Sequence, residues 1–190
     1  MDRYKVPVLE TERLILRAIE LDDAKDMYAY ASDPVVAKYT LFGAHASLED
    51  TQEVIKNVFL TRPSQGKPEG YVIVDKETNT MIGTCDFWPL EKPGVFEMGY
   101  ALNRNYWGKG IMSEAGNAML EFAFDTYGVE VMSLKHHVDN PASGAVAIRL
   151  GFRKIGVKTL GTFTAEGDAD AAIYELTKER YNEKRTSTKI

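Results

Sequence analysis

The chain has 190 residues, 44% of them hydrophobic and 27% charged, which suits one domain with its own core and is too short for two comfortable ones. Its longest apolar runs are a few residues, which excludes a membrane-spanning helix, and residues 1–10 do not read as a signal peptide. A net charge of −5 excludes broad nucleic-acid binding and favours a cationic substrate such as an amine, while a single cysteine, Cys85, excludes an intramolecular disulfide and suits the reducing cytoplasm.

Residues 11–19, TERLILRAI, alternate as a strand with Leu14 and Leu16 on one face. Asp22 or Asp23 then caps a helix running to about Ser32, where Ser-Asp-Pro stops it. SLED at 47–50 has the form of a capping box and opens a second helix, with Leu48, Thr51, Ile55, Val58 and Phe59 in one stripe. A Pro/Gly-rich loop over 61–70 ends it. Three strand-like runs follow at hairpin spacing: YVIVD (71–75), TMIGTCDFW (80–88) and VFEMGYAL (95–102). A helix of about four turns comes next, with Ile111, Ala115, Ala118, Met119, Phe122 and Ala123 on one face and Gly128 at its end. VEVMSLKHHV (129–138) reads as a strand, and NPASGAVAIRL (140–150) as a short helix capped by Asn140, opened by Pro141 and ended by Gly151. Strands at 152–160 and 171–177 complete the pattern, and the polar tail KERYNEKRTSTKI from Lys178 is expected to fray at its end. The order β-α-α-β-β-β-α-β-α-β-β predicts a single α+β domain over 1–190. Its sheet is mixed, mostly antiparallel and flanked by helices, with a β-α-β crossover after residue 102.

That crossover contains NYWGKGIMSEA, residues 105–115. A P-loop requires four residues between its first glycine and the following Gly-Lys, but one residue separates Gly108 from Gly110. A dinucleotide fingerprint requires a third glycine where Ser113 stands. A third design remains, in which successive backbone N–H groups from Gly108 to Ser113 converge on an anion at the positive end of a helix, with Lys109 adding a charge. On the glycines alone, a tight turn before an amphipathic helix is an equal alternative.

With its surroundings, the stretch resembles the GNAT acetyltransferase superfamily, in the branch named after the ribosomal-protein acetyltransferases RimJ and RimL. The superfamily's coenzyme A loop reads Gln/Arg-x-x-Gly-x-Gly/Ala, against which Trp107, Gly110 and Met112 align here; Trp107 and Met112 depart from it in the manner of the branch. TERLILR, IGT at 82–84, EMGYAL at 97–102, NPAS at 140–143, RLGF at 149–152 and YELTKERY at 174–181 stand in the branch's usual order, so the likeness covers essentially the whole chain.

The resemblance implies the GNAT acyl-CoA N-acyltransferase fold and transfer of acetyl from acetyl-CoA, as co-substrate, to a primary amine: a protein N-terminus, a polyamine or a small molecule. Such a reaction must hold thioester and amine together, deprotonate an ammonium of pKa about 10 and release a thiolate whose acid has a pKa of about 8.5. By resemblance, the main chain of Tyr100, Ala101 and Leu102 pairs with the pantetheine arm. Gly108, Lys109, Gly110, Ile111, Met112 and Ser113 hold the pyrophosphate, and Asn140 both caps its helix and touches the arm.

Glu97 is the expected base, a lone carboxylate in an otherwise apolar strand; the plain alternative is a solvent-facing strand position. Many members carry a tyrosine as acid five residues before the phenylalanine of the Gly-Phe pair. Ala147 stands there, and Ser143, at the third position of the short helix, is the expected substitute.

His136 and His137 are adjacent on a strand and so face opposite sides, which disfavours a shared metal, and no metal is expected. Cys85 reads as a core residue, and Asp86 as a solvated carboxylate that otherwise attracts a cationic amine. Trp88 and Tyr100 read as strand aromatics of the core or of an acceptor pocket. The oligomeric state is left open between monomer and homodimer. The rival to an enzyme is a non-catalytic acyl-CoA-binding module on the same fold.

Overall fold

The computed structural model describes residues 4–40, 42–165 and 167–187. In order they form β1 (Leu9–Glu10), β2 (Leu14–Ala18), α1 (Ala24–Ala31), α2 (Pro34–Ala37), α3 (Leu48–Val54), β3 (Tyr71–Asp75), β4 (Thr80–Pro89) and β5 (Val95–Leu102). Then come α4 (Ile111–Glu121), β6 (Val131–His137), α5 (Pro141–Leu150), β7 (Arg153–Thr164), β8 (Gly167–Thr177) and α6 (Lys178–Ser187). Among the described residues the eight strands make one sheet in the order β1-β2-β3-β4-β5-β6-β8-β7. All neighbours are antiparallel except β5 and β6, which run parallel and are joined through α4. The mixed, mostly antiparallel sheet expected from the sequence is present.

Helices cover both faces, which explains why YVIVD is apolar at nearly every position. Tyr71 and Ile73 join the core under α4 and α5, with Phe87, Met98 and Met119. Val72 and Val74 join a second core under α1–α3, with Met27, Tyr30 and Ile55. The SLED capping box forms as read: Ser47 accepts from the Asp50 N–H and the Asp50 carboxylate accepts from the Ser47 N–H, each at 3.1 Å.

Four features differ from the sequence expectation. The carboxylate of Asp23 does not bond the first-turn amides of α1; it accepts from the Glu20 N–H at 2.8 Å and is gripped by both Arg17 amino groups at 2.8 and 2.6 Å. Pro34, expected only to stop a helix, also opens α2, with Asp33 accepting the Val35 N–H. The stripe on α3 breaks because residues 55–59 form a π-turn, which leaves Val58 50% exposed. Finally, the tail, to which the sequence assigns no element, forms α6 from Lys178 to Ser187; the end expected to fray lies outside the described residues. Tyr181 stacks on Phe124 at 4.8 Å, while Arg180 and Lys184 donate to the carbonyls of Gly151 and Arg149 at the end of α5.

Candidate active site

β5 and β6 pair over only four rungs, Val95↔Val131 to Met98↔Leu134. β5 continues to Leu102 along β4, whereas β6 continues to His137 along β8. The two parallel strands therefore part after Met98, and a cleft of about 1220 Å³ opens there. Tyr100, Ala101 and Leu102 line it with main chain that β6 no longer covers. The Leu102 carbonyl accepts from the Trp107 indole at 2.8 Å, and the Tyr100 hydroxyl donates to the Ser143 carbonyl at 3.1 Å. Burial pushes the Tyr100 hydroxyl well up from its ordinary pKa, against the hydrogen bond at Ser143, so it stays neutral.

The cleft runs on to the start of α4, where Gly108, Gly110, Ile111, Met112 and Ser113 form its wall. Gly108 and Gly110 lie in the left-handed region, φ 73° and 76°, the conformation that needs glycine. Gly110 is the N-cap and has no side chain for the first-turn amides. The Ser113 hydroxyl is buried without a hydrogen-bond partner. Open amides, the positive end of an eleven-residue helix and an orphaned buried hydroxyl suit an anion with several acceptor oxygens. Lys109 is the exception among the predicted loop residues. It is exposed, its Nζ lies 5.3 Å from the centre of the Tyr106 ring, and it does not line the cleft.

A clamp that the sequence reading missed holds this loop. Arg13 donates to the Lys109 carbonyl at 3.0 Å and pairs with Glu114 at 2.6 Å. Glu114 also accepts from Thr11 Oγ1 and from the Arg13 N–H. Burial pushes the Glu114 carboxyl up, but the hydrogen bonds from Thr11 and Arg13 outweigh it and hold the group below the usual carboxylate range. The signal is the Thr-Glu-Arg preceding β2, which the sequence reads as a strand start and as part of the family resemblance, with no hint of its contact to Glu114.

Across the gap, α5 presents its N-terminal turn. Asn140 accepts from the Ser143 N–H at 3.3 Å, as expected of a cap, and its Nδ2 donates to Ser143 Oγ at 3.2 Å. Ser143 Oγ is thereby an acceptor within the protein and keeps its own proton for the cleft. Ala147 is fully buried in the core.

The other end of the cleft lies under α2, α3 and the β7–β8 hairpin. Glu97 is 8% exposed and 3.0 Å from Lys135 Nζ, so it is neither solvent-facing nor isolated among apolar groups. Asp86 is no solvated carboxylate either. It is 4% exposed and 2.9 Å from Arg62, and burial pushes its carboxyl up against the opposing pull of the guanidinium. Arg62 sits between Phe59 and Trp88, 4.8 and 5.7 Å from their ring centres. Trp88, opposite Glu97 in register, lines the cleft.

His136 also reaches the cleft; its Nδ1 bonds the His137 carbonyl, and burial holds it below the usual histidine range. Cys85 is fully buried, and burial pushes its thiol up, which makes it inert. No cluster of three metal-ligating side chains occurs among the described residues, and no helix there is long and apolar enough to cross a membrane. Arg62 and Lys135 were not foreseen; both stand in segments read only as loop and strand.

Comparison with known proteins bears on this arrangement. The family model for the acetyltransferase (GNAT) domain matches residues 13–153. The chain is 36% identical over 153 residues to the uncharacterized N-acetyltransferase p20 of Bacillus licheniformis, covering 78% of this chain and 84% of that one. It is 31% identical over 132 residues to the ribosomal-protein-serine acetyltransferase of Escherichia coli (strain K12), covering 67% and 70%. Its fold matches that of RimL, a ribosomal L7/L12 alpha-N-protein acetyltransferase solved in complex with coenzyme A. That match has a TM-score of 0.76 at 23% identity over 90% of this chain and 98% of that one.

Proposed function

This chain belongs to the GNAT acetyltransferase family, and on that premise we propose that it passes acetyl from acetyl-CoA directly to a primary amine held at the Trp88 end of the cleft. Membership makes it an acetyl-CoA-dependent N-acetyltransferase; the residue roles and the acceptor are the proposed part. The observation that carries the roles is continuity: the parting of β5 and β6 after Met98 runs without a break into the N-terminus of α4 and its unpartnered Ser113 hydroxyl. In the proposed arrangement the pantetheine arm lies along Tyr100–Leu102 as an added strand, the pyrophosphate meets the amides of 108–113, and Asn140 flanks the arm.

Transfer then forms a C–N bond and breaks the C–S bond. The amine's proton goes to Glu97, and the departing sulfur takes a proton from Ser143, which solvent replaces. Lys135 keeps Glu97 in place beside the reacting end. Among the described residues lining the cleft there is no cysteine that could carry the acetyl group, which supports direct transfer. Protein N-termini, polyamines and small amines all meet the chemical requirement.

A second reading, acyl-CoA binding without turnover, has Ala147 in its favour, since the family's usual tyrosine is missing there. Thermal shift and thiol release separate the two. Acetyl-CoA raises the melting temperature under either, and thiol release that depends on an added amine occurs only for the enzyme. If saturating acetyl-CoA leaves the melting temperature unchanged, both readings fail.

A further inference from the structure

Two properties of the acceptor end point to the amine it receives. The first is charge. Among the described residues lining the cleft, the carboxylates are Asp86 and Glu97, and each is committed to a cation, Arg62 at 2.9 Å and Lys135 at 3.0 Å. Of the other lining cations, Lys38 stands at the end of α2, on the acceptor side, and Arg149 lies on α5. A polyamine entering here loses hydration, meets no uncommitted lining carboxylate and faces the ammonium of Lys38. The chain's overall acidity, which favours a cationic partner, is not carried into the site.

The second is the apolar wall. Val35, Phe42 and Val58, 46%, 46% and 50% exposed, belong to three separate segments and converge on this end of the cleft. Trp88 forms the floor. The outer edge of its six-membered ring packs on Gly99, where a β-carbon would come within 2.6 Å of it, beside the point at which β5 and β6 part. Arg62, fixed by Asp86, backs the same indole. The Ala165 N–H donates to the Thr40 carbonyl at 3.2 Å, joining two segments that both border the cleft.

We propose that the acceptor is a small primary amine carrying one aromatic or similarly bulky apolar body, which lies on Trp88 with its nitrogen toward Glu97. This rests on the acetyl-transfer reading above. Trp88 is then a specificity-determining residue: it supplies stacking area and, for an incoming ammonium, a cation–π face that needs no free carboxylate.

The test is a thiol-release panel with the full chain and acetyl-CoA, comparing phenethylamine, tyramine and tryptamine with spermidine and with tetrapeptides bearing a free Ser or Ala N-terminus. The best aromatic amine is expected to exceed spermidine and the peptides by about tenfold or more in kcat/KM. Trp88→Ala is expected to raise the KM for that amine about tenfold and leave the KM for acetyl-CoA within about twofold, with Trp88→Phe recovering most of the loss.

Preference for spermidine or a peptide overturns the inference, as does a Trp88→Ala effect shared equally by acetyl-CoA. Stabilisation by acetyl-CoA with no turnover of any aromatic amine overturns it while leaving the cofactor site standing. No stabilisation by acetyl-CoA overturns the parent reading and this one with it. Melting curves of both variants, with and without acetyl-CoA, separate a specificity defect from misfolding.

Discussion

The Glu97 carboxylate and the Lys135 ammonium meet at 3.0 Å across the two parallel strands at the point where those strands separate. The pair is therefore a link across the weakening sheet, and in the proposed mechanism it borders the reacting end. Glu97→Gln keeps the shape and removes the proposed proton acceptor. It is expected to lower kcat/KM by about 10²-fold or more, with the acetyl-CoA-induced thermal shift retained. Lys135→Met leaves a buried carboxylate without its cation and is expected to cost about 1–2 kcal/mol in urea denaturation, moderated because the ammonium is partly exposed. Turnover by Glu97→Gln at the native rate across the pH range would remove Glu97 from the base's role.

Ser113 gives a prediction in which stability and binding diverge. Its hydroxyl is buried without a partner, so Ser113→Ala removes an unsatisfied group from the unliganded protein, whose melting temperature is expected to hold or rise slightly. In the proposed arrangement acetyl-CoA, by contrast, loses a donor to its phosphates, and its Kd is expected to rise about tenfold by calorimetry. A drop in unliganded stability with unchanged affinity would mean that Ser113 serves the helix and not the ligand.

Much of this architecture was legible in the sequence because it rests on local rules. The capping box at Ser47, the Asn140 cap, the αL glycines at 128 and 151 and the strand-like runs of β3–β5 at hairpin spacing each follow from a few neighbouring residues. The tight glycine turn before α4 was legible for the same reason. What escaped is long-range. Arg13 reaches Glu114 across 101 positions, Arg62 finds Asp86 from a loop, and α6 exists because Tyr181 finds Phe124. No local period encodes such pairings, so Asp86 reads as an ordinary surface carboxylate until the fold buries it. Val58 escaped for a different reason, since the π-turn at 55–59 shifts the helical phase that periodicity assumes.

Glu114 makes the loop clamp sensitive to acid. Its folded-state pKa is held below the ordinary carboxylate value by Thr11 and Arg13, although burial opposes them. In the unfolded chain the group titrates near its usual value of about 4.3, so around and below that pH the unfolded state binds more protons. The clamp's contribution is therefore complete above about pH 5 and is lost as pH falls through the lowered folded value. Urea midpoints measured from pH 6 down to pH 3 are expected to fall more steeply for the native chain than for Glu114→Gln. The variant, lacking the charge, starts lower and changes less. Parallel curves would place the acid sensitivity elsewhere.

Ser143 and Ala147 stand one helical turn apart on α5 and make opposite predictions for the proton that reaches the sulfur. The Ser143 side chain accepts from Asn140, while the cap itself runs through Asn140 Oδ1 to the Ser143 amide and survives loss of the hydroxyl. Ser143→Ala is thus expected to leave α5 and acetyl-CoA binding nearly intact while lowering kcat about tenfold or more, most strongly at high pH, where fewer other proton donors remain. Ala147→Tyr, which places the family's usual donor at its usual position, meets a fully buried site in the core between α4 and α5. Overpacking there is expected to cost about 1–3 kcal/mol and to give no gain in kcat, even in combination with Ser143→Ala. A double variant that regains the native rate would show that the core yields to admit the ring, and that Ser143 stands in for a tyrosine the fold still has room for.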